Sequence, residues 1–325
     1  MRAAILNQLG GVPELGERDE PDVPDFGELV TVDTAGLNPV DLFIATGNQP
    51  VVKPEPPAVL GLEGVGTRAD GTRAYFGITI PPDGTFAEKA VALPDSIVEL
   101  PDGVDDGTAL CFGIAGMAGW LAVEWRGGVE AGETVVVLGA SGMVGRIAIQ
   151  AAKLLGAGRV IAAARSEKAL SEVTQLGADA TVPITGEGFA DALREAAPDG
   201  IDLIVDPVWG DAAMGALDAA SKNARLVQIG NASGPEAALY APSFRNKHAS
   251  ILGYSNFTVP VEDRNDAFRR MCDHATTRRF PWPTWLTRGS GKARARATSW
   301  FCESAEGDQR LSGVRPRSGL VSRLR

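Results

Sequence analysis

TVVVLGASGMVGRIAIQAAKLLG, residues 134–156, decides how this chain folds. Val135, Val136, Val137 and Leu138 form an unbroken apolar run, as expected of a strand buried on both faces of a parallel sheet. Gly139 turns the chain, Gly142 leaves room for a pyrophosphate to approach the backbone, and Gly145 lets the following helix pack closely on the strand. That helix carries Val144, Ile147, Ala148, Ala151, Leu154 and Leu155 at helical spacing. Its first turn offers unpaired N–H groups and positive dipole charge to phosphate oxygens. Gly139, Ser141, Gly142, Met143, Val144 and Gly145 are therefore the candidate phosphate-binding residues. Ala140 stands where the first glycine of G-x-G-x-x-G belongs, so this triplet alone also fits a strand-turn-helix that needs its glycines only for packing.

The residues that follow extend the pattern. A second strand is expected over 159–164, then a helix from Ser166 to Leu176 that stops at Gly177. Strands at 201–205 and 224–229 end in Asp206, Pro207, Val208 and Gly210, and in Gly230 and Asn231. Ligands of open parallel sheets lie beyond the carboxyl ends of the strands, so Gly230 and Asn231 join the candidate cofactor residues. An NAD site places Asp or Glu at the tip of the second strand, about twenty residues past the glycines. Here the tip reads Ala163, Ala164, Arg165, Ser166, Glu167, Lys168. Arg165 and Lys168 suit a 2′-phosphate, with Ser166 donating a hydrogen bond, and the reading is NADPH. Glu167 facing the ribose in place of Arg165 would reverse that preference, and a separate alternative is that Arg165 and Lys168 merely solvate a helix start.

Length and composition bound the rest. A chain of 325 residues exceeds one ordinary core and predicts two domains. No apolar run approaches a membrane span, the start MRAAILNQLGGVPE lacks a signal-peptide apolar region, and Cys111, Cys272 and Cys302 form no disulfide framework. A cytoplasmic setting with no membrane partner is expected. The net charge of −10 argues against nucleic acid as a partner. Residues 1–108 read as a small β domain of short strands and turns, rich in Gly and Pro.

Within that domain stand VDTAGLNPVDLFIATG (32–47), VLGLEGVG (59–66) and GTFAEKAVALPDSIVELPDGV (84–104). On these segments, with GMAGW at 116–120, GADATV at 177–182 and QIGNASG at 228–234, the chain resembles the zinc-independent quinone oxidoreductases of the medium-chain dehydrogenase/reductase superfamily. The family's G-x-N-P-x-D is here Gly36 to Asp41, and its G-x-E-x-x-G is Gly61 to Gly66. The resemblance covers roughly residues 1–270. It implies a GroES-like β domain (1–108) packed against a Rossmann doubly wound parallel sheet (109–257), an α/β fold with the active site between them. A terminal segment (258–325) is expected to return to the β domain. It further implies hydride transfer from NADPH to a small quinone or enone. A non-catalytic nucleotide-binding or regulatory protein is the other open class. The oligomeric state is open, a homodimer being common among such relatives.

Zinc-dependent relatives carry a cysteine near Asn38 and a histidine near Leu62, and neither Asn nor Leu replaces those ligands. No metal is expected. His248 and His274 read as ordinary surface or loop histidines, and Glu63 as a fold-supporting carboxylate. Asn38 and Asp41 are the candidate catalytic residues, placed near the nicotinamide by resemblance. Asn-Pro-x-Asp also makes a good turn and helix cap. Tyr75 is a candidate proton donor, with solvent as the alternative. Lys89 stands where the family often has Tyr, Ala118 where it has Thr near the nicotinamide, and a tyrosine is missing from TVPIT (181–185). Residues 278–325 hold 11 Lys and Arg against 3 Asp and Glu, whereas residues 1–277 hold 20 against 38. Net charge thus changes from −18 to +8. With no helical or strand period from Phe280 onward, residues 280–325 are expected to be an out-of-frame ending or a divergent basic tail.

Overall fold

The computed structural model describes residues 1–49 and 51–277, and the backbone of 301–303. Its centre is a six-stranded parallel sheet in the spatial order Ala180–Pro183, Arg159–Ala164, Thr134–Leu138, Leu203–Asp206, Arg225–Gln228, Ser250–Gly253. Chain order reverses between Thr134–Leu138 and Leu203–Asp206, which places the switch point of a doubly wound sheet beside the glycine turn. Every residue from Thr134 to Leu138 is buried, because helices cover both sheet faces. Two apolar cores result, one containing Val135, Val137 and Ile147, the other Val136, Leu138 and Ile204.

The helix Met143–Leu154 begins where the glycines predict. A Cβ on Gly145 would lie 2.6 Å from the Gly139 carbonyl oxygen and 2.7 Å from Ala140 Cα, so only glycine permits this approach of helix to strand. The buried surface of the helix is wider than the predicted stripe. Ile149, Gln150 and Ala152 are buried too, while Leu154 faces solvent. The cause is a second helix, Ile114–Leu121, that packs across it at Gly119, where a Cβ would stand 2.4 Å from the Val144 carbonyl oxygen. The predicted helix over 166–176 is an α-helix, Glu167–Val173, continued by a 3-10 turn through Leu176 and ended by Gly177 in the left-handed region at φ 105°. The strand Ser250–Gly253 is an addition that its short sequence did not announce.

The other domain is antiparallel. Arg2–Leu6 lies between Glu14–Glu17 and Ala58–Val59 in a three-stranded sheet. A larger sheet runs Glu28–Gly36, Glu63–Thr67, Arg73–Phe76, Ile97–Glu99, with Lys89–Ala92 on the first half of Glu28–Gly36. Residues 301–303 pair antiparallel with the second half, Phe301 opposite Gly36. The rest of the segment expected to be aberrant, 280–300 and 304–325, lies outside the described residues. Position 108 falls inside the helix Asp106–Phe112 and position 257 inside the turn Asn256–Thr258. No single described helix is long and apolar enough to cross a membrane. The bent pair Asp106–Phe112 and Ile114–Arg126 has the length and composition, but Leu110, Phe112, Met117, Trp120 and Leu121 are in the protein core.

Candidate functional site

The first half of the site is a backbone cradle. Gly139 adopts φ 60°, and a Cβ there would lie 2.9 Å from Val208 Cγ2 and 3.3 Å from Pro207 Cγ. Gly142 is the N-terminal cap of the helix Met143–Leu154, and a Cβ there would meet nothing closer than the Gly139 carbonyl at 3.4 Å. Ser141 is exposed, and Gly142, Met143 and Val144 are half-buried. The first-turn N–H groups have no acceptor within the helix, so an open, glycine-lined helix start faces outward. This geometry fits a dinucleotide pyrophosphate.

The strand-tip residues lie on the neighbouring element. Ala140 N–H donates to the Ala163 carbonyl at 3.0 Å, tying the glycine turn to the end of the strand Arg159–Ala164. Arg165, Ser166, Glu167 and Lys168 follow, all exposed. Ser166 Oγ caps its helix by accepting from Ala169 N–H at 3.3 Å, and its hydroxyl proton is still available. Arg165 and Lys168 thus follow directly on the strand end that is bonded to the turn, and Glu167 is exposed with them.

Gly230 and Asn231 come to the same edge of the sheet. A Cβ on Gly230 would stand 3.0 Å from the Pro207 carbonyl, and Ile229 N–H donates to the Asp206 carbonyl at 2.8 Å. Asp206 had no sequence signal as an organiser. Fully buried, it accepts from Val208 and Trp209 N–H through Oδ1, at 2.8 Å each, and Oδ2 has no partner. Burial raises its carboxyl to about 6, against the pull of those two N–H donors. Trp209 is held at φ 64°, a conformation costly for a bulky residue.

The second half is a closed side-chain bridge between the domains. Glu63, 1% exposed, accepts from Asn38 Nδ2 at 2.6 Å, Tyr75 Oη at 2.8 Å and the Ile114 N–H at 2.7 Å. Ile114 belongs to the other domain, at the start of the helix Ile114–Leu121. Space for the carboxylate comes from two glycines: a Cβ on Gly36 would be 2.6 Å from Oε1 and one on Gly113 2.0 Å from Oε2. Burial raises the Glu63 carboxyl, and its three donors oppose the rise. Tyr75 is stacked on Phe268, ring centroids 4.3 Å apart, and burial with the adjacent carboxylate raises its hydroxyl well above the usual tyrosine value.

Asn38 and Asp41 both belong to this bridge. Asp41 Oδ2 accepts from Asn38 N–H at 2.7 Å, closing the start of the helix Pro39–Ala45. Asp41 is 1% exposed and Asn38 6%, so each is committed to a cap or to Glu63. Burial lifts the Asp41 carboxyl to about 7, with the Glu63 charge adding to the rise and the Asn38 N–H opposing it. Leu62 packs with Leu6, Ile44 and Leu60 in an apolar cluster, which does not fit a zinc ligand. Among the described residues no three His, Cys, Asp or Glu side chains cluster to hold a metal ion. His248 is exposed, and His274 stacks on Trp120 with ring centroids 5.7 Å apart. Arg146, at an inward helical position, looks ordinary in sequence because its partners, the Ser141 carbonyl and Glu172, lie on other elements.

A switch-point parallel sheet bearing a glycine turn, joined to an antiparallel domain through a buried carboxylate, defines the class as a two-domain fold with a Rossmann-like sheet. A family profile described as zinc-binding dehydrogenase matches residues 144–273. A quinone oxidoreductase of Pseudomonas aeruginosa is 32% identical over 238 residues, covering 70% of this chain and 72% of that one. An acryloyl-coenzyme A reductase of Sulfurisphaera tokodaii is 32% identical over 253 residues, 67% of this chain and 73% of that protein. Among solved structures, the quinone oxidoreductase of Thermus thermophilus, studied also as its NADPH complex, superimposes with a TM-score of 0.70 at 27% identity, over 85% of this chain and 86% of that one. The chain belongs to the medium-chain dehydrogenase/reductase superfamily, among its quinone oxidoreductase-like members.

Proposed function

We propose that this protein is an NADPH-dependent, metal-independent reductase of quinones or of alkenes conjugated to a carbonyl. The observation that carries the reading is the exposed Arg165-Ser166-Glu167-Lys168 tip beside an open glycine cradle. The NADPH complex of the Thermus relative and the names of the two curated relatives support it. NADPH supplies the hydride. Gly142, Met143, Val144 and Gly145 hold the pyrophosphate, with Gly139 and Ser141 shaping the turn. Arg165, Ser166 and Lys168 hold the 2′-phosphate, and Gly230 and Asn231 border the cleft. Asn38 and Asp41, buried as they are, act as positioning residues that fix the β domain's wall of the cleft. With Asn38 bonded to Glu63 and Leu62 in an apolar cluster at the positions where zinc-dependent relatives have ligands, the reading takes a substrate that is already electrophilic. Tyr75 Oη is committed to its hydrogen bond with Glu63, so water is the proton source for the reduced product. The setting is cytoplasmic, and dimerisation is compatible with the reading.

The test is NADPH oxidation by para-benzoquinone and by a small enone, with and without a zinc chelator, and with NADH in parallel. Chelator-insensitive turnover that prefers NADPH is expected. Nucleotide binding without turnover would point instead to a regulatory nucleotide-binding protein, and chelator-sensitive turnover would remove the metal-free mechanism.

A further inference from the structure

Arg146 sits in the first turns of the helix Met143–Leu154, with its side chain 9% exposed. Its Nε donates to the carbonyl of Ser141, in the glycine turn, at 3.0 Å. A terminal guanidinium nitrogen donates to Glu172 Oε2 at 2.8 Å. Glu172 lies in the helix Glu167–Val173, whose start carries Ser166 and Lys168. The backbone of Arg146 is held as well: its N–H donates to Gly142 and its carbonyl accepts from Gln150 Nε2, at 2.9 and 3.0 Å. One planar fork therefore joins the turn that would meet the pyrophosphate to the helix that would meet the 2′-phosphate. A lysine has one compact ammonium head and cannot reproduce both directed bonds.

We propose that Arg146 is a specificity-determining positioning residue that fixes the spacing between the pyrophosphate turn and the 2′-phosphate element. This rests on the NADPH reading above. The brace acts on the half of the dinucleotide that distinguishes NADPH from NADH, through Glu172, and on the shared pyrophosphate, through Ser141. The two arms separate by mutation. Losing Glu172 frees the strand-tip helix while leaving the Ser141 bond, whereas losing the guanidinium frees both.

The experiment compares wild type with Glu172→Gln, Arg146→Gln and Arg146→Lys. Amide hydrogen exchange is followed in the ligand-free protein across 139–145 and 165–173, and NADPH and NADH dissociation constants come from nicotinamide fluorescence. Glu172→Gln should weaken NADPH about fivefold, the scale of one ion pair, with NADH changed less than about twofold. It should also accelerate exchange at the helix start only. Arg146→Gln should weaken both nucleotides and accelerate exchange in the turn as well, and Arg146→Lys should restore at most one arm. Unchanged exchange in Arg146→Gln overturns the brace. An unchanged NADPH to NADH ratio in Glu172→Gln, or equal losses for both nucleotides, overturns its role in specificity. A wild type that prefers NADH defeats the NADPH reading and the specificity role with it, and the exchange data still decide whether the brace exists.

Discussion

The interdomain bridge and the phosphate cradle are both polar, yet they are built oppositely. In the bridge, Glu63, Asn38, Asp41 and Tyr75 are buried and bonded to one another or to backbone. The cradle is mostly backbone, with glycine at its corners and the first-turn N–H groups open. Buried polar groups without partners cost about 1–3 kcal/mol each, and the bridge meets nearly all of its own, with Asp41 Oδ1 the buried oxygen left without a partner. The cradle is satisfied by solvent or by a ligand. A closed network fixes the position of two domains, and an open one binds.

The strongest challenge to this contrast is Glu63→Ala. It strips the acceptor from Asn38 Nδ2, Tyr75 Oη and Ile114 N–H together, and urea denaturation should show a loss of about 3–5 kcal/mol, from three buried donors left unpaired at about 1–3 kcal/mol each. A loss below about 1 kcal/mol would mean that water enters the bridge and that it is not closed. Next comes Gly145→Val, whose Cβ meets the Gly139 carbonyl and Ala140 Cα. It should cost about 1–3 kcal/mol by overpacking and lower NADPH affinity by more than about tenfold, because the helix start moves from the turn. Intact NADPH affinity in a folded variant would break the assignment of this turn to phosphate.

Arg165→Glu should leave stability within about 0.5 kcal/mol, as for an exposed residue. It should reduce NADPH affinity about tenfold or more, the scale of a charge-assisted hydrogen bond, while sparing NADH. The comparison of the two dissociation constants checks it, and equal losses would assign Arg165 to general steering. Asp41→Asn sharpens the bridge. The Asp41 carboxyl is raised from 3.8 to about 7 when folded, so the folded state binds the proton more tightly than the unfolded chain. Its contribution therefore falls as pH rises from about 4 to about 7 and is flat above. Replacing it by Asn should flatten that part of the stability profile, as thermal melts across this range would show. An unaltered slope would assign it to another buried acid, Asp206 being the candidate.

What was legible follows from how far apart the interacting residues are. The strands Thr134–Leu138 and Arg159–Ala164 announce themselves through contiguous apolar runs, and Gly145 and Gly177 through local conformational needs. The cap of Asp41 on Asn38 is visible as a turn motif four residues long. The Glu63 bond to Ile114 spans 51 positions, and no local pattern encodes it. The spacing of Leu154 predicts an inward position, but the crossing helix at Gly119 decides which side of Met143–Leu154 is covered. Asp206 and Arg146 look like unremarked strand-end and helix residues until their partners on other elements are in place.

The contact at Gly119 has a mechanical consequence. Glu63 grips the start of the helix Ile114–Leu121 from the β domain, and five residues along, at Gly119, that helix presses its backbone onto the carbonyl of Val144. The helix is a short, stiff lever with its load at the phosphate end. Tilting one domain against the other displaces the first turn of Met143–Leu154 with no compressible side chain between to absorb the stroke.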